Sequence, residues 1–432
     1  MRMVYRERRL RMSSSNNAIC IFCACTGGGT GTLTIRMAGW CARHGVRLCH
    51  CAYIDSDRLN TAVLRENNAR LETCDDESYL EQFTAAYEAG YEYTAVVYTL
   101  EDYHKAEKIQ IKFPAVKKIL LYVILRDGLC YNLRNGARWG DALSRAVTRT
   151  VNRRYIKKVS ECGCLLFMDE QCLSQTEKMA EVSFSDKNAV IARLPYEITD
   201  YGDRIGEHIF RGEVFTISTA ARLDFPFKGY VIGLIEVFAE LKKRYSELRL
   251  IIVGDGKDGR TVEEAVRALE PDIRKDVELA GMLSYDELKN VLSETDLYIG
   301  MGTTLLDAAD NLTPAMTAAA FTYELETIGL FSEHPEKLGI DPGAEKAATY
   351  IESVINMPDS CYCETVLKQY DNLKRIYSID SFMKKVLEYE RPNYRLADEP
   401  LHSAIYEIFV KVLKARRLIR KFGHKKEEAG EL

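Results

Sequence analysis

From residue 18 to about 320 the chain alternates short apolar runs with segments of helical periodicity, and this alternation limits its fold more than any other feature. The first series of runs is AICIFCAC (18–25), VRLCHCAYI (46–54), YTAVVYTL (93–100), KKILLYVIL (117–125), GCLLFMD (163–169) and AVIARL (189–194). The second is VFTISTA (214–220), LRLIIVG (248–254), VELAGM (277–282), LYIGM (297–301) and PAMTAA (314–319). Runs that are apolar on both faces, each followed by an amphipathic segment such as GYVIGLIEVFAELKKRY (229–245), predict parallel strands joined by helical crossovers. Two series predict two doubly wound α/β domains, which suits 432 residues, since a single core stops growing well short of that length.

The break between the series falls in the polar stretch YEITDYGDRIGEHIFRGE (196–213). The expected organisation is a disordered basic extension over 1–16, a first Rossmann-like domain over 17–205, a second over 206–380 and a helical basic extension over 381–432. The opening residues MRMVYRERRLRMSSSNN have no apolar segment after their arginines, so no secretory signal is expected, and Met12 is an alternative start. No run of 18 apolar residues predicts a membrane span.

Hydrophobic residues at 47% and charged residues at 28% describe a globular chain, and a net charge of −5 argues against a nucleic-acid partner. Thirteen cysteines sit mostly inside apolar stretches. Cys20 and Cys23 form a C-x-x-C, but on a strand they point to opposite faces and cannot share one zinc. Buried structural thiols in a reducing cytoplasm are the expectation, with a metal or redox pair as the alternative.

The richest segment for chemistry is VFTISTAARLDFPFKGYVIGLIEVFAEL (214–242). A strand ends at Ala220, a loop carries Arg222, and Lys228 with Gly229 opens a helix. Arginine offers a planar fork to phosphate oxygens, lysine a point charge, and a helix N-terminus the positive end of its dipole. Taken alone, the segment is equally open to two solvated surface cations.

Downstream lie LRLIIVGDGKD (248–258) and VELAGMLSYDELKNVLSETDLYIGMGTTLLDAADNLTPAMTAA (277–319). The order R-L-D-x-P-x-K-G-Y, L-x-I-V-G-D-G, G-x-L-x-Y-x-E-L and G-M-G-T-T-L-L-D-A resembles the family-4 retaining glycosyltransferases, closely over 214–320 and loosely over 18–200. The resemblance implies a GT-B fold, with two facing Rossmann-like domains. It implies transfer of a sugar from a nucleotide-sugar donor to a glycan or lipid-linked acceptor with retention, without metal or other cofactor. Carried over by position, Arg222 and Lys228 hold the donor diphosphate, and Asp307 accepts hydrogen bonds from the donor ribose. The family usually has glutamate at Asp307, and a second glutamate eight positions earlier where this chain has Ile299. In its place Gly302, Thr303 and Thr304 offer backbone N–H groups to sugar or phosphate.

In the first domain the resemblance places a Gly-rich loop after the first strand, and Gly28, Gly29 and Thr30 of TGGGTGT (26–32) stand there. GGGTGT also resembles the signature loop of tubulin-like GTPases. That reading needs several strands before the loop and a final glycine where this chain has Leu33. After the fourth strand the family often has a histidine, and this chain has Arg126 and Asp127. Asp127 is a candidate acceptor-side carboxylate or an ordinary surface aspartate; His104 follows a strand end.

Two stretches are basic. Residues 134–158 carry eight cations and one acid around an apolar stripe of Trp139, Leu143, Val147, Val151 and Tyr155, and 405–426 has the same character. A core-facing stripe with a solvated basic face is one reading. The other is peripheral attachment to an anionic leaflet, suited to a lipid-linked acceptor. The rival to an active enzyme is a GT-B scaffold that binds a nucleotide or a partner enzyme without turnover.

Overall fold

The computed structural model describes residues 17–22, 29–50, 79–124, positions within 153–160, 165–184, 189–209 and 211–388. The chain divides into two compact units. One comprises residues up to Pro195 together with those from Asp380 onward, and the other is Tyr196–Ile379.

The first unit runs β1 (Asn17–Phe22), α1 (Gly29–His44), β2 (Arg47–His50), α2 (Tyr79–Ala86), β3 (Glu92–Val97), α3 (Leu100–Lys112), β4 (Val116–Val123), β5 (Leu165–Phe167), α4 (Glu170–Ala180) and β6 (Ala189–Ile191). All its strand pairs are parallel, in the order β2-β1-β3-β4-β5-β6. Ala95, Val97, Leu121, Val123, Leu165 and Phe167 pack with Phe83 of α2, Tyr103, Ala106 and Ile109 of α3, and Cys172 of α4. This sheet buried by its crossovers explains why the strands read as unbroken apolar runs. α3 starts where the Thr99 side chain accepts from the Asp102 N–H, and α4 where Asp169 accepts from the Cys172 N–H.

The second unit opens at Tyr196 and a 3₁₀ segment (Gly202–His208). It continues through β7 (Phe215–Ala220), α5 (Tyr230–Lys242), β8 (Leu248–Val253), α6 (Gly259–Arg267), α7 (Pro271–Arg274), β9 (Val277–Gly281), α8 (Tyr285–Ser293), β10 (Leu297–Gly300), α9 (Thr303–Asp310) and β11 (Ala315–Ala318). β12 (Glu326–Leu330), β13 (Glu345–Lys346), α10 (Ala348–Ile355) and α11 (Asp359–Tyr377) follow. The strand order is β13-β12-β11-β10-β7-β8-β9. β7 to β11 are parallel, whereas β12 pairs antiparallel with β11 and β13 antiparallel with β12. The sequence pattern predicted no strand after 319; β13 spans only two residues, and β12 forms as an antiparallel addition at the edge that β11 offers.

α5 is apolar almost all round because it lies in the core, burying Tyr230, Val231, Leu234, Ile235, Phe238 and Leu241. The polar stretch after Pro195 is tied to this unit. Asp310 accepts from both the N–H and the hydroxyl of Thr199 at 2.8 Å, and Tyr201 donates to the Asp310 carbonyl at 2.8 Å. Arg211 donates to the carbonyls of Val354, Ile355 and Met357, satisfying the end of α10.

A last helix, α12 (Ile379–Glu388), carries the chain back to the first unit. There Trp40 Nε1 donates to Asp380 at 2.6 Å, Lys118 Nζ to the Leu387 carbonyl at 2.7 Å, and Phe382 packs on Tyr122. Among the described residues Cys20, Cys41, Cys49 and Cys172 are buried free thiols, and burial pushes the Cys41 thiol up to about 12. No group of metal-ligating side chains occurs among the described residues, and no helix among them is long and apolar enough to cross a membrane. Cys23, Asp127, nearly all of 134–158 and the whole of 405–426 lie outside the described residues.

Candidate functional site

In an open parallel sheet, ligands collect beyond the carboxyl ends of the strands where the order reverses. In the second unit that point lies between β7 and β10, since β7 leads to β8 on one side and pairs with β10 on the other. The loop after β7 carries Arg222 and Lys228, and the turn after β10 carries Met301, Gly302, Thr303 and Thr304. The structure therefore brings these sequence-predicted residues to one edge of one sheet. The two loops meet where Lys228 Nζ approaches the Met301 carbonyl oxygen at 3.5 Å.

Lys228 is largely buried, and burial first, then the charge of Arg222, pushes its ammonium down from 10.5 to about 8. Its Nζ also lies 5.1 Å from the centre of the Phe227 ring. Arg222 is the opposite case. Its side chain is 76% exposed, and its Nε pairs with Asp224 at 3.0 Å. One cation is thus held in a low-polarity setting and the other stands largely in water, paired with Asp224.

The backbone that presents Arg222 is clamped from the turn after β8. Leu223 N–H donates to the Asp255 carbonyl at 3.0 Å, Asp258 N–H to the Leu223 carbonyl at 3.0 Å, and Phe225 N–H to the Asp258 carboxylate at 2.7 Å. Gly254 makes the close approach possible: it has φ +129°, and a Cβ there would lie 1.9 Å from the Ala221 carbonyl oxygen.

On the β10 side, Gly302 at φ +82° opens α9 and Thr303 is partly exposed. The Thr304 hydroxyl accepts from the buried Tyr298 hydroxyl at 2.5 Å and donates to the Met301 carbonyl at 3.3 Å, so it braces the turn. Ile299 is fully buried in the core cluster on β10, so no side chain at that position reaches the loop edge.

Asp307 lies on α9 with 4% exposure. Its Oδ1 accepts from the Tyr196 hydroxyl at 2.9 Å and from the Tyr285 hydroxyl at 3.0 Å. Tyr196 is buried, whereas Tyr285, at the start of α8, is 46% exposed. Neither tyrosine was read as a site residue: Tyr196 lies 111 residues from Asp307, whereas Tyr285 is the tyrosine of the quoted G-x-L-x-Y-x-E-L run and could have been singled out. Asp258 and Tyr298 were likewise missed; Asp258 does lie in the quoted G-D-G-K-D run, where it could have been taken for a loop anchor.

In the first unit the switch point lies between β1 and β3, so the Gly-rich segment after β1 leaves the sheet there. Gly29 and Thr30 begin α1, while Gly28 lies outside the described residues. His104 is buried on α3 with Nδ1 3.6 Å from Glu107.

Residues 210–370 match the family described as Glycosyl transferases group 1. No curated protein matches the chain by sequence. Solved structures share the fold over most of its length. Anabaena HepE, solved in complex with UDP-glucose, is 13% identical with a TM-score of 0.55, covering 86% of this chain and 98% of its own. WaaB, a lipopolysaccharide outer core galactosyltransferase, is 14% identical with a TM-score of 0.53, covering 87% and 100%. WaaG, a glycosyltransferase involved in lipopolysaccharide biosynthesis, is 14% identical with a TM-score of 0.51, covering 86% and 99%. The chain thus has two Rossmann-like parallel-sheet units in the GT-B fold that these structures share, and residues 210–370 of its second unit match the glycosyl transferases group 1 family.

Proposed function

We propose that the protein is a retaining hexosyltransferase that moves a sugar from a nucleotide-sugar donor to an acceptor hydroxyl in the assembly of a cell-surface polysaccharide or glycolipid. The observation that carries the proposal is the convergence of Arg222 and Lys228 on the switch point of the second sheet, with Lys228 reaching the turn that opens α9. As the glycosidic bond breaks, negative charge grows on the departing diphosphate. A water-exposed guanidinium and a desolvated ammonium stabilise that charge, the ammonium where water screens it least. In this reading the two cations take the role a metal would have.

The remaining roles follow from position. Gly302, Thr303 and Thr304 present backbone N–H groups to the donor sugar, Asp307 accepts from the donor ribose, and Gly28, Gly29 and Thr30 approach the phosphates through their backbone. The acceptor hydroxyl attacks from the face the diphosphate leaves, and a departing phosphate oxygen takes its proton. Asp127 is the acceptor-side carboxylate of this scheme. Cytoplasmic work on a lipid-linked acceptor, with the basic stretches 134–158 and 405–426 on an anionic leaflet, belongs to the same proposal. Equal co-sedimentation with neutral and anionic liposomes would remove that part.

A screen of UDP-, GDP- and ADP-hexoses for hydrolysis or transfer, with the product anomer read by NMR, tests the reading. Turnover with the anomeric configuration kept is the expected result. The second reading, a GT-B scaffold without turnover, is favoured by the buried Ile299 at a position where the family resemblance expects a carboxylate. Nucleotide binding with no turnover for any donor would establish it.

A further inference from the structure

The carboxylate on α9 meets the outside through a tyrosine. Asp307 is buried, and its Oδ1 accepts from two hydroxyls, Tyr196 at 2.9 Å and Tyr285 at 3.0 Å. The two phenol oxygens lie 3.3 Å apart, farther than either lies from Asp307. Their surroundings differ. Tyr196 is buried and its bond to Asp307 is enclosed, whereas Tyr285 is half-exposed and its bond is only partly covered. A small molecule arriving from solvent on that side meets Tyr285 before it meets Asp307.

Tyr285 is held in place. It is the first residue of α8 and follows a capping box, in which the Ser284 hydroxyl accepts from the Glu287 N–H at 3.3 Å and the Glu287 carboxylate from the Ser284 N–H at 2.7 Å. One turn on, Lys289 Nζ lies 5.1 Å from the centre of the Tyr285 ring. With backbone, ring and hydroxyl all engaged, little rotamer freedom is left to lose when a ligand covers the side chain.

Its place is the loop edge that carries Lys228. α8 starts beyond the carboxyl end of β9, and α9 starts beyond that of β10. Asp307 follows Thr303 by one turn of α9, where side chains on one face stand about 6 Å apart. The turn that opens α9 is the one Lys228 reaches.

The chemistry of the pair selects what it can hold. A phenol has one proton, and Tyr285 gives it to Asp307, so its oxygen offers a ligand an acceptor. A phosphate brings acceptors and negative charge, which the carboxylate behind Tyr285 disfavours. A sugar hydroxyl brings a proton, and the bond to Asp307 strengthens the phenol oxygen as its acceptor. We infer, on the glycosyltransferase reading above, that the Tyr285 oxygen accepts a hydrogen bond from a sugar hydroxyl of the nucleotide-sugar donor, with Asp307 behind it as the positioning residue. Asp307 then acts on the donor through Tyr285. Two parts of such a donor carry hydroxyls of this chemistry, the ribose and the hexose.

The test uses the full chain and calorimetry. UDP, GDP and ADP are titrated first, and the tightest binder is compared in three forms: its glucose, galactose and mannose conjugates, the free diphosphate, and the 2′,3′-dideoxy diphosphate. The expected result is that Tyr285→Phe weakens binding about two- to tenfold, the worth of one neutral hydrogen bond, and that this loss vanishes in a truncated form. A loss seen with conjugate and diphosphate but not with the dideoxy form gives the contact to the ribose. A loss seen with a conjugate alone gives it to the hexose. In both cases the form that binds equally well shows that the variant's site is intact, which a merely structural tyrosine would not produce. Equal loss for all three forms, which leaves Tyr285 only a tie between α8 and α9, or no loss for any of them, would overturn the contact. Absent binding of every nucleotide by the unsubstituted protein would instead remove the glycosyltransferase reading, and the contact with it.

Discussion

Lys228 Nζ stands 3.5 Å from the carbonyl oxygen of Met301, joining the loop after β7 to the turn after β10 at the point where the strand order reverses. A cation in that place is costly while the site is empty, and under the proposed function it serves when a diphosphate enters. The same burial that pushes Lys228 down to about 8 makes its charge a strong partner for an anion.

The first prediction follows from that proton. Nucleoside diphosphate affinity is level between about pH 7 and 8, where the terminal phosphate is ionised, and falls above it with a limiting slope of tenfold per pH unit, because the bound form needs the ammonium. Calorimetry above that pH, in buffers of different ionisation enthalpy, shows uptake of up to one proton per diphosphate bound. The effect on stability runs the other way. Between about 8 and 10.5 the unfolded chain holds a proton that folded Lys228 has lost, so this residue's contribution to stability rises with pH across that window. A Lys228→Met variant loses both dependences; if the slope persists in it, another group is responsible.

Arg222 separates binding from folding. Its side chain is largely in water, so Arg222→Ala changes stability by less than about 0.5 kcal/mol. A charge-assisted contact to phosphate is worth about 1.5–3 kcal/mol, so diphosphate affinity falls about ten- to a hundredfold. Arg222→Lys recovers only part of this, since an ammonium cannot offer the planar fork. Unchanged affinity by calorimetry would remove Arg222 from the site.

Gly254→Ala tests the clamp behind that loop. The added methyl meets the Ala221 carbonyl at a positive φ, so strain and overpacking together cost about 2–5 kcal/mol. A lower urea midpoint is the direct readout. Weakened diphosphate binding in the fraction that remains folded shows that the clamp also places Arg222.

The two tyrosines on Asp307 differ in a way that a pair of phenylalanine variants reveals. Tyr196→Phe removes a donor from a carboxylate in a buried setting and costs about 1–3 kcal/mol. Tyr285→Phe opens a half-exposed position where water replaces the lost hydroxyl, and costs less than about 1 kcal/mol. Equal shifts in the urea midpoint would show that the two bonds are alike.

What the sequence determined by itself was local. Eleven apolar runs became eleven strands within a few residues of their expected ends, because burial on both faces writes itself into consecutive residues. The place of Arg222 and Lys228 on the loop after β7 was legible for the same reason, since both lie between a strand end and a helix start. Only the tertiary structure decided the rest. Asp258 reaches Phe225 across 33 residues, Tyr196 reaches Asp307 across 111, and Phe227 meets Phe321 from a loop on another strand. β12 and β13 exist as strands because β11 offers them an edge, and no local pattern marks them. A period along the chain reports which face is buried, while a hydrogen bond or a ring contact between distant residues depends on strand order, which sets which loops meet at one edge of the sheet.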